Sequence, residues 1–310
     1  MIFVADQGDW MPTPDEIAEA ADRIAVHIRT TPIVRTADLT LKLECLQHTG
    51  SFKPRGAFNR ILSQSVPAAG VIAASGGNHG LAVAYAARRL GLPAEVFVPV
   101  TSSPVKVARL RGYGATVTQV GDRYSEAYEA SQARAADTGA LVVHAYDQPE
   151  VQAGQGTVGV ELMAQSPELD TIVVAVGGGG LLAGVASAYD GSARIVAVEP
   201  RTIPTLAAAL DAGEPVDVDV TGIAADSLGA TRISASALAV ARRTGVRSVL
   251  VDDEAIVAAR QWLWGDLRLA VEAGGAAAMA ALRSGAYVPG PEERVGVIIC
   301  GSNTDPSDLV

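Results

Sequence analysis

The sequence predicts an α/β protein built on two doubly wound open sheets, and three observations predict it. Short continuous runs rich in Val and Ile alternate with Ala-rich segments of helical spacing from about residue 71 to residue 299. Such runs read as parallel strands covered on both faces by helices. At 310 residues the chain is long enough for a large core in two lobes. The glycine-rich segments that carry polar residues fall directly after such runs, where open α/β sheets bind their ligands.

Taken in order, apolar residues at Ile17, Ala20, Ala21, Ile24, Ala25 and Ile28 predict a helix over 15–30. Thr31-Pro32 closes it, because proline cannot continue a helix comfortably. A helix is expected over 56–62. Strands at 71–74, 94–99 and 115–120 precede helices at 81–90, 104–111 and 125–138, and a strand at 141–144 follows. The second half repeats the rhythm, with strands at 171–176 and 195–198 before helices at 181–189 and 204–212. A strand at 249–251 leads into two more helical stretches, and a strand at 295–299 ends the series. Residues 147–159, rich in Gly and Gln, are expected to be a hinge between the lobes. No low-complexity segment or repeat of solenoid length interrupts this order.

Composition narrows the function. A net charge of −10 argues against a nucleic-acid partner, since a phosphate backbone requires a basic surface. No apolar stretch approaches the roughly 20 residues of a membrane span. Residues 1–10 carry Asp6 and Asp9 without a basic region, so no secretory signal is expected. Cys45 and Cys300 lack the spacing of a disulfide framework or a zinc site, and a reducing cytoplasm fits them. The partner expected is a small molecule, and a homodimer is the expected assembly.

Four segments carry candidate chemistry. The run Thr49-Gly50-Ser51-Phe52-Lys53-Pro54-Arg55-Gly56-Ala57 sets a lysine among small, turn-forming residues, in a chain with only three lysines, Lys42, Lys53 and Lys106. Arginine stays protonated, whereas a partly buried lysine shifts its pKa and can form a Schiff base. Ser75-Gly76-Gly77-Asn78-His79-Gly80 follows a strand, and its main-chain N–H groups, entering a helix, suit an anion. His79 reads as a packing residue rather than a metal ligand, because His27, His48 and His144 are scattered. The run Val176-Gly177-Gly178-Gly179-Gly180-Leu181 again passes from strand through glycine to helix, and a nest of N–H groups around a phosphate would account for it. Its rival is a dinucleotide fingerprint over Gly178–Ala183, with Glu199 on a ribose, as in an NAD-dependent oxidoreductase. Cys300-Gly301-Ser302-Asn303 ends the last strand.

Lysine, asparagine loop, tetraglycine loop and terminal Cys-Gly-x-Asn, in that order, resemble the pyridoxal-phosphate enzymes of the serine/threonine dehydratase and serine racemase family, over a stretch from Ile17 to Asn303. The resemblance implies the fold type II of these enzymes. In it, residues 1–66 with 147–310 form the cofactor-binding domain, and an inserted small domain, 67–146, closes over the substrate. It further implies that Lys53 holds pyridoxal 5'-phosphate covalently and that Gly177, Gly178, Gly179, Gly180 and Leu181 bind its phosphate. Asn78 would bond the ring hydroxyl, Phe52 pack on the ring, Cys300 face the ring nitrogen, and Glu272 lie near the cofactor. Ser75, Gly76, Gly77, Asn78 and His79 would bind the substrate carboxylate, with Asp226 lining the site. The activity implied is β-elimination from L-threonine or L-serine, giving a 2-oxo acid and ammonia, with Lys53 as the base at Cα.

Departures from the family pattern matter too. Racemases of the family resemble a pattern with serine two residues before the asparagine; Gly76 stands there and cannot carry a proton, which disfavours racemase activity. The family's divalent-metal site maps onto Glu199, Ile203 and Thr205, and threonine does not supply the missing carboxylate, so no metal is expected. The segment between Arg35 and Lys42 is shorter than usual. The chain stops soon after Asn303, so no C-terminal regulatory unit with isoleucine feedback is expected.

Overall fold

Two sheets carry the chain in the computed structural model, which describes residues 10–309. The reading made of residues 1–10 therefore falls, apart from Trp10, outside the described residues. The strands are β1 (Ile33–Arg35), β2 (Leu39–Lys42), β3 (Val71–Ala74), β4 (Ala94–Val98), β5 (Thr116–Gln119), β6 (Leu141–Val142), β7 (Thr171–Ala175), β8 (Arg194–Pro200), β9 (Arg247–Val251) and β10 (Val295–Ile298). The helices are α1 (Pro14–Ile24), α2 (Lys53–Leu62), α3 (Asn78–Arg89), α4 (Pro104–Gly112), α5 (Tyr124–Thr138) and α6 (Pro149–Gln165), followed by α7 (Gly180–Tyr189), α8 (Thr205–Ala212), α9 (Ala225–Leu228), α10 (Ala235–Arg243), α11 (Asp253–Leu267) and α12 (Ala273–Arg283). A six-stranded sheet runs β1-β2-β10-β7-β8-β9, and a four-stranded sheet runs β5-β4-β3-β6. Every pairing is parallel except β1 with β2. The α/β expectation holds.

Strand alternation decides which helices cover the smaller sheet. Val71 and Ala73 of β3, with Val96 and Val98 of β4, bury against Leu81, Val107 and Leu110 of α3 and α4. Ile72, Ala74 and Phe97 point the other way, onto Ala127 and Ala135 of α5. A period of two on the strands thus fixes one helical layer on each face. In the larger sheet β7 is buried along its whole length, as a central parallel strand must be.

Three expectations need correction. The helix expected over 15–30 stops at Ile24, although its start is firmly capped. Thr13 accepts the Glu16 N–H at 3.2 Å and Glu16 accepts the Thr13 N–H at 2.9 Å. Beyond Ile24 the chain leaves the axis so that His27 stacks on Phe58, ring centres 5.0 Å apart. Strand β1 at the sheet edge and β2 beside it were not expected, being three and four residues long. The hinge expected at 147–159 is instead most of α6, a seventeen-residue helix. Its glycines are there for contact: a Cβ on Gly156 would lie 2.9 Å from the Gly184 carbonyl of α7, and one on Gly154 2.6 Å from the Arg55 carbonyl of α2. Composition alone reads Gly and Gln as loop, whereas here they let three helices meet at backbone distance.

Among the described residues no helix is long and apolar enough to cross a membrane.

Candidate active site

A cavity of about 370 Å³ opens at the carboxyl ends of β3, β7 and β10. Its lining brings together Lys53, Asn78, the glycine loop before α7 and Cys300, from four distant parts of the sequence. That volume is in the range of small-molecule sites.

Lys53 is the first residue of α2, three residues earlier than the expected helix start. Proline is tolerated in a first helical turn, so Pro54 does not delay the helix. The chain just before it is tied to the end of β10: Ser51 bridges Gly301, and the Phe52 N–H donates to the Cys300 carbonyl at 3.2 Å. The Lys53 Nζ donates to the Ala145 carbonyl at 2.7 Å and lies 5.1 Å from the Phe52 ring centre. Burial pushes this amine down to about 8, against the opposing pull of Cys300 and Glu272. A substantial share of it is therefore neutral near physiological pH.

A cluster of buried charge adjoins the same helix. Arg55 grips Glu44 through two bonds of 2.7 Å and reaches Glu161 at 3.0 Å. Lys42 donates to Glu161 at 2.5 Å, to Gln165 at 2.7 Å and to the Thr31 carbonyl at 2.8 Å. Sequence reasoning missed this group. Its only signals were the rarity of lysine and an arginine two residues past Lys53.

The Ser75–His79 segment opens α3 toward the cavity. Gly77 N–H donates to Ser75 Oγ at 3.2 Å, and no side chain caps the helix, so its first N–H groups remain for a ligand. The Asn78 amide donates to Glu272 Oε1 at 2.6 Å and accepts from Asn303 at 2.5 Å. One Asn78 N–H is left over by this arrangement. Burial pushes Glu272 up to about 7, with the Asn78 hydrogen bond opposing it. The His79 ring is turned onto the Val143 carbonyl, 2.8 Å away, and burial pushes it down to about 3. It is neutral, and what His79 offers a ligand at the loop is its main chain.

The glycine loop packs hard on its neighbours, and no side chain caps the helix it opens. Cβ atoms on Gly178 and Gly180 would lie 2.4 and 3.0 Å from Tyr146, and one on Gly177 2.9 Å from the Leu228 carbonyl. Gly179 has a φ of +89°, which favours glycine. The glycines thus have a packing reason that the sequence did not disclose. At the start of α7 the N–H groups of Gly180, Leu181 and Leu182 have no intrahelical acceptor.

Cys300 lies 3.5 Å from the Gly274 carbonyl, and burial pushes its thiol well above the ordinary range. It is a neutral group. Asp226 forms an ion pair with Lys106 of α4, and Arg109, one turn further along, bonds Asn303. Both contacts join the four-stranded sheet's side of the cavity to the six-stranded side. Lys106, Tyr124 and Tyr146 also line the cavity and belong to no motif that sequence could have flagged.

Glu199, the acidic residue of the rival dinucleotide reading, is fully buried. Its carboxylate accepts from the Leu206 N–H at 2.6 Å, the Ala207 N–H at 2.9 Å and Thr205 Oγ1 at 2.9 Å, capping α8. No carboxylate is left there for a ribose, and the dinucleotide reading loses its acidic residue. Among the described residues no three His, Cys, Asp or Glu side chains gather as metal ligands.

Residues 24–301 match the sequence model of a family described as pyridoxal-phosphate dependent enzyme. The chain is 39% identical over 279 residues to an L-threonine ammonia-lyase of Geobacter sulfurreducens, covering 86% of this chain and 69% of that protein. It is 36% identical over 308 residues to a phenylserine dehydratase of Ralstonia pickettii, covering 95% and 94%. The structure of maize serine racemase superposes with a TM-score of 0.91 at 33% identity, covering 97% of this chain and 96% of that one.

Proposed function

The chain belongs to the pyridoxal-phosphate dependent enzymes, and we propose that it is the lyase of that family that removes water from β-hydroxy amino acids such as L-threonine and L-serine, leaving a 2-oxo acid and ammonia. The observation that carries this reading is the Lys53 amine, pushed down to about 8 and sharing one cavity with the bare N–H groups of α7. The residues present fit the cofactor. A row of unpaired N–H donors at a helix start suits its phosphate, and the amine across the cavity suits its aldehyde. When bound, pyridoxal phosphate supplies an electron sink for the pair left at Cα.

The chain's own residues do the rest. Gly177, Gly178, Gly179, Gly180 and Leu181 would hold the phosphate, Phe52 would pack beside the ring, and the spare Asn78 N–H would bond its hydroxyl. The substrate carboxylate sits at the start of α3, on Ser75, Gly76, Gly77, Asn78 and the His79 main chain. Lys53 would take the Cα proton, and the lowering of its amine to about 8 gives it a neutral fraction near physiological pH for that task. Cys300, neutral because burial raises its thiol, does not enforce a charged ring nitrogen as a carboxylate would. Glu272 orients Asn78 through its 2.6 Å hydrogen bond.

Residues 67–146 act as the part that closes over substrate, a role supported by the Lys106–Asp226 and Arg109–Asn303 contacts across the cleft. The assembly is a homodimer, to be checked by light scattering, and the compartment a reducing cytoplasm, a reading supported by two free, buried cysteines. Racemisation is the lesser activity, because Gly76 carries no group to act from the second face of Cα.

Borohydride reduction of the yellow protein, followed by peptide mass mapping, tests the reading. The label is expected on Lys53, and Lys53→Ala is expected to lose both colour and 2-oxo acid formation. Full activity in that variant would sink it.

A further inference from the structure

Two rings in the cavity lining, Tyr124 and Tyr146, have no part in the roles given above, and two further rings behind them link one to the other. Tyr124, the first residue of α5, lines the cavity with 51% of its surface exposed. Its ring stacks on Tyr128, centres 6.2 Å apart. Tyr128 meets His144 edge to face at 5.9 Å, and His144 meets Tyr146 at 4.8 Å. Tyr146 lines the cavity again, next to the Ala145 carbonyl that holds the Lys53 amine. The Tyr146 ring is fixed, lying over Gly178 with its hydroxyl donating to the Arg232 carbonyl at 3.2 Å. The row therefore runs from a half-exposed ring to one beside the reacting amine.

Such a wall discriminates among side chains on a substrate's β-carbon. The hydrogen of serine or the methyl of threonine covers little aromatic surface, whereas a phenyl group covers far more. Aromatic rings also gain from offset or edge-to-face contact at the spacings seen along this row. An acidic side chain gains nothing comparable, because Lys106 is already neutralised by Asp226. Burial pushes both the Tyr124 and Tyr146 phenols upward, so the wall is uncharged at neutral pH.

We propose that the side chain this site selects is an aryl group on the β-carbon, as in 3-phenylserine, packed against Tyr124 and Tyr146. The proposal rests on the dehydratase reading above. In the reaction the Cα–H and Cβ–O bonds break and a carbon–carbon double bond forms. The hydroxyl leaves as water, and the released enamine takes up water and loses ammonia, so 3-phenylserine gives phenylpyruvate and ammonia.

The experiment compares kcat/KM of the pyridoxal-phosphate-loaded enzyme for L-threo-3-phenylserine, L-threonine and L-serine, in wild type, Tyr124→Ala and Tyr124→Phe. Phenylserine is expected to exceed serine by about tenfold or more, a ratio that Tyr124→Ala lowers about fivefold and Tyr124→Phe keeps. Binding gives a readout independent of turnover: L-phenylalanine should perturb the visible spectrum at about one tenth the concentration L-alanine needs. Faster turnover of serine and threonine than of phenylserine overturns the aryl assignment and leaves the dehydratase reading standing. A ratio untouched by Tyr124→Ala likewise overturns it. No 2-oxo acid from any of the three, in protein whose reduced label sits on Lys53, overturns the dehydratase reading and the proposal with it.

Discussion

Arg55 and Glu44 face each other in a two-pronged ion pair, Nε to Oε2 and Nη2 to Oε1 both at 2.7 Å, with neither side chain reaching solvent. Removing one partner strands the other as an uncompensated charge, which costs about 3–5 kcal/mol. Lysine cannot present two parallel N–H groups to a carboxylate. Arg55→Ala is therefore expected to lose about that much unfolding free energy in urea titrations of constant slope, and Arg55→Lys, which keeps the charge but not the fork, a smaller amount. A loss below about 1 kcal/mol would show that the pair is dispensable.

The depressed Lys53 amine makes a prediction about cofactor uptake. Only the neutral amine attacks an aldehyde, and its fraction grows as pH rises through about 8. Stopped-flow absorbance of cofactor-stripped protein mixed with pyridoxal phosphate should show a rate that climbs with pH and levels off shortly above that value. A rate still climbing at about pH 10 would mean an ordinary lysine.

Glu272 ties stability to pH. Burial raises its carboxyl from 4.5 to about 7 in the folded chain. Its contribution to stability is thus whole below 4.5 and lost as pH rises through about 7. Glu272→Gln keeps an acceptor for Asn78 and never ionises. In cofactor-stripped protein it should exceed wild type by about 1–3 kcal/mol at pH 8 and match it near pH 4.5. Equal denaturation midpoints at both pH values would remove the carboxylate from this account.

Gly76 can be converted without crowding. A Cβ there would meet nothing nearer than 3.6 Å, from Ser102 and Val98, which is ordinary contact. Gly76→Ser should therefore keep the wild-type melting temperature within about 2 °C while adding a hydroxyl to the cavity. If a second base is all that racemisation lacks, chiral chromatography of L-serine incubations will detect D-serine from the variant above the wild-type background.

The sequence was most legible where one residue type had one job. Asn78, the glycine loop and Cys300 each follow a strand and Lys53 opens a helix, all with local punctuation, and the structure gathers all four around one cavity. Tyr124, Tyr146, Lys106 and the Arg55–Glu44 pair are different. Their meaning comes from partners far away in the chain, such as Asp226 for Lys106, and no local spacing encodes that. Glu199 misled for a related reason: its distance along the chain fits a ribose ligand, yet its lone pairs are used on α8. The glycines of α6 show the limit most plainly, since the same residues signal flexibility in a loop and intimacy between helices.

That intimacy has an engineering consequence. α6 touches both α2, which carries Lys53, and α7, which begins at the glycine loop, with glycine at each closest approach. Lys53 and the glycine loop are thereby mounted on one closely packed frame, while Gly76, Lys106 and Tyr124 belong to the opposite bank of the cleft. Libraries confined to that bank can reshape the cavity and leave the spacing between Lys53 and the glycine loop as it is.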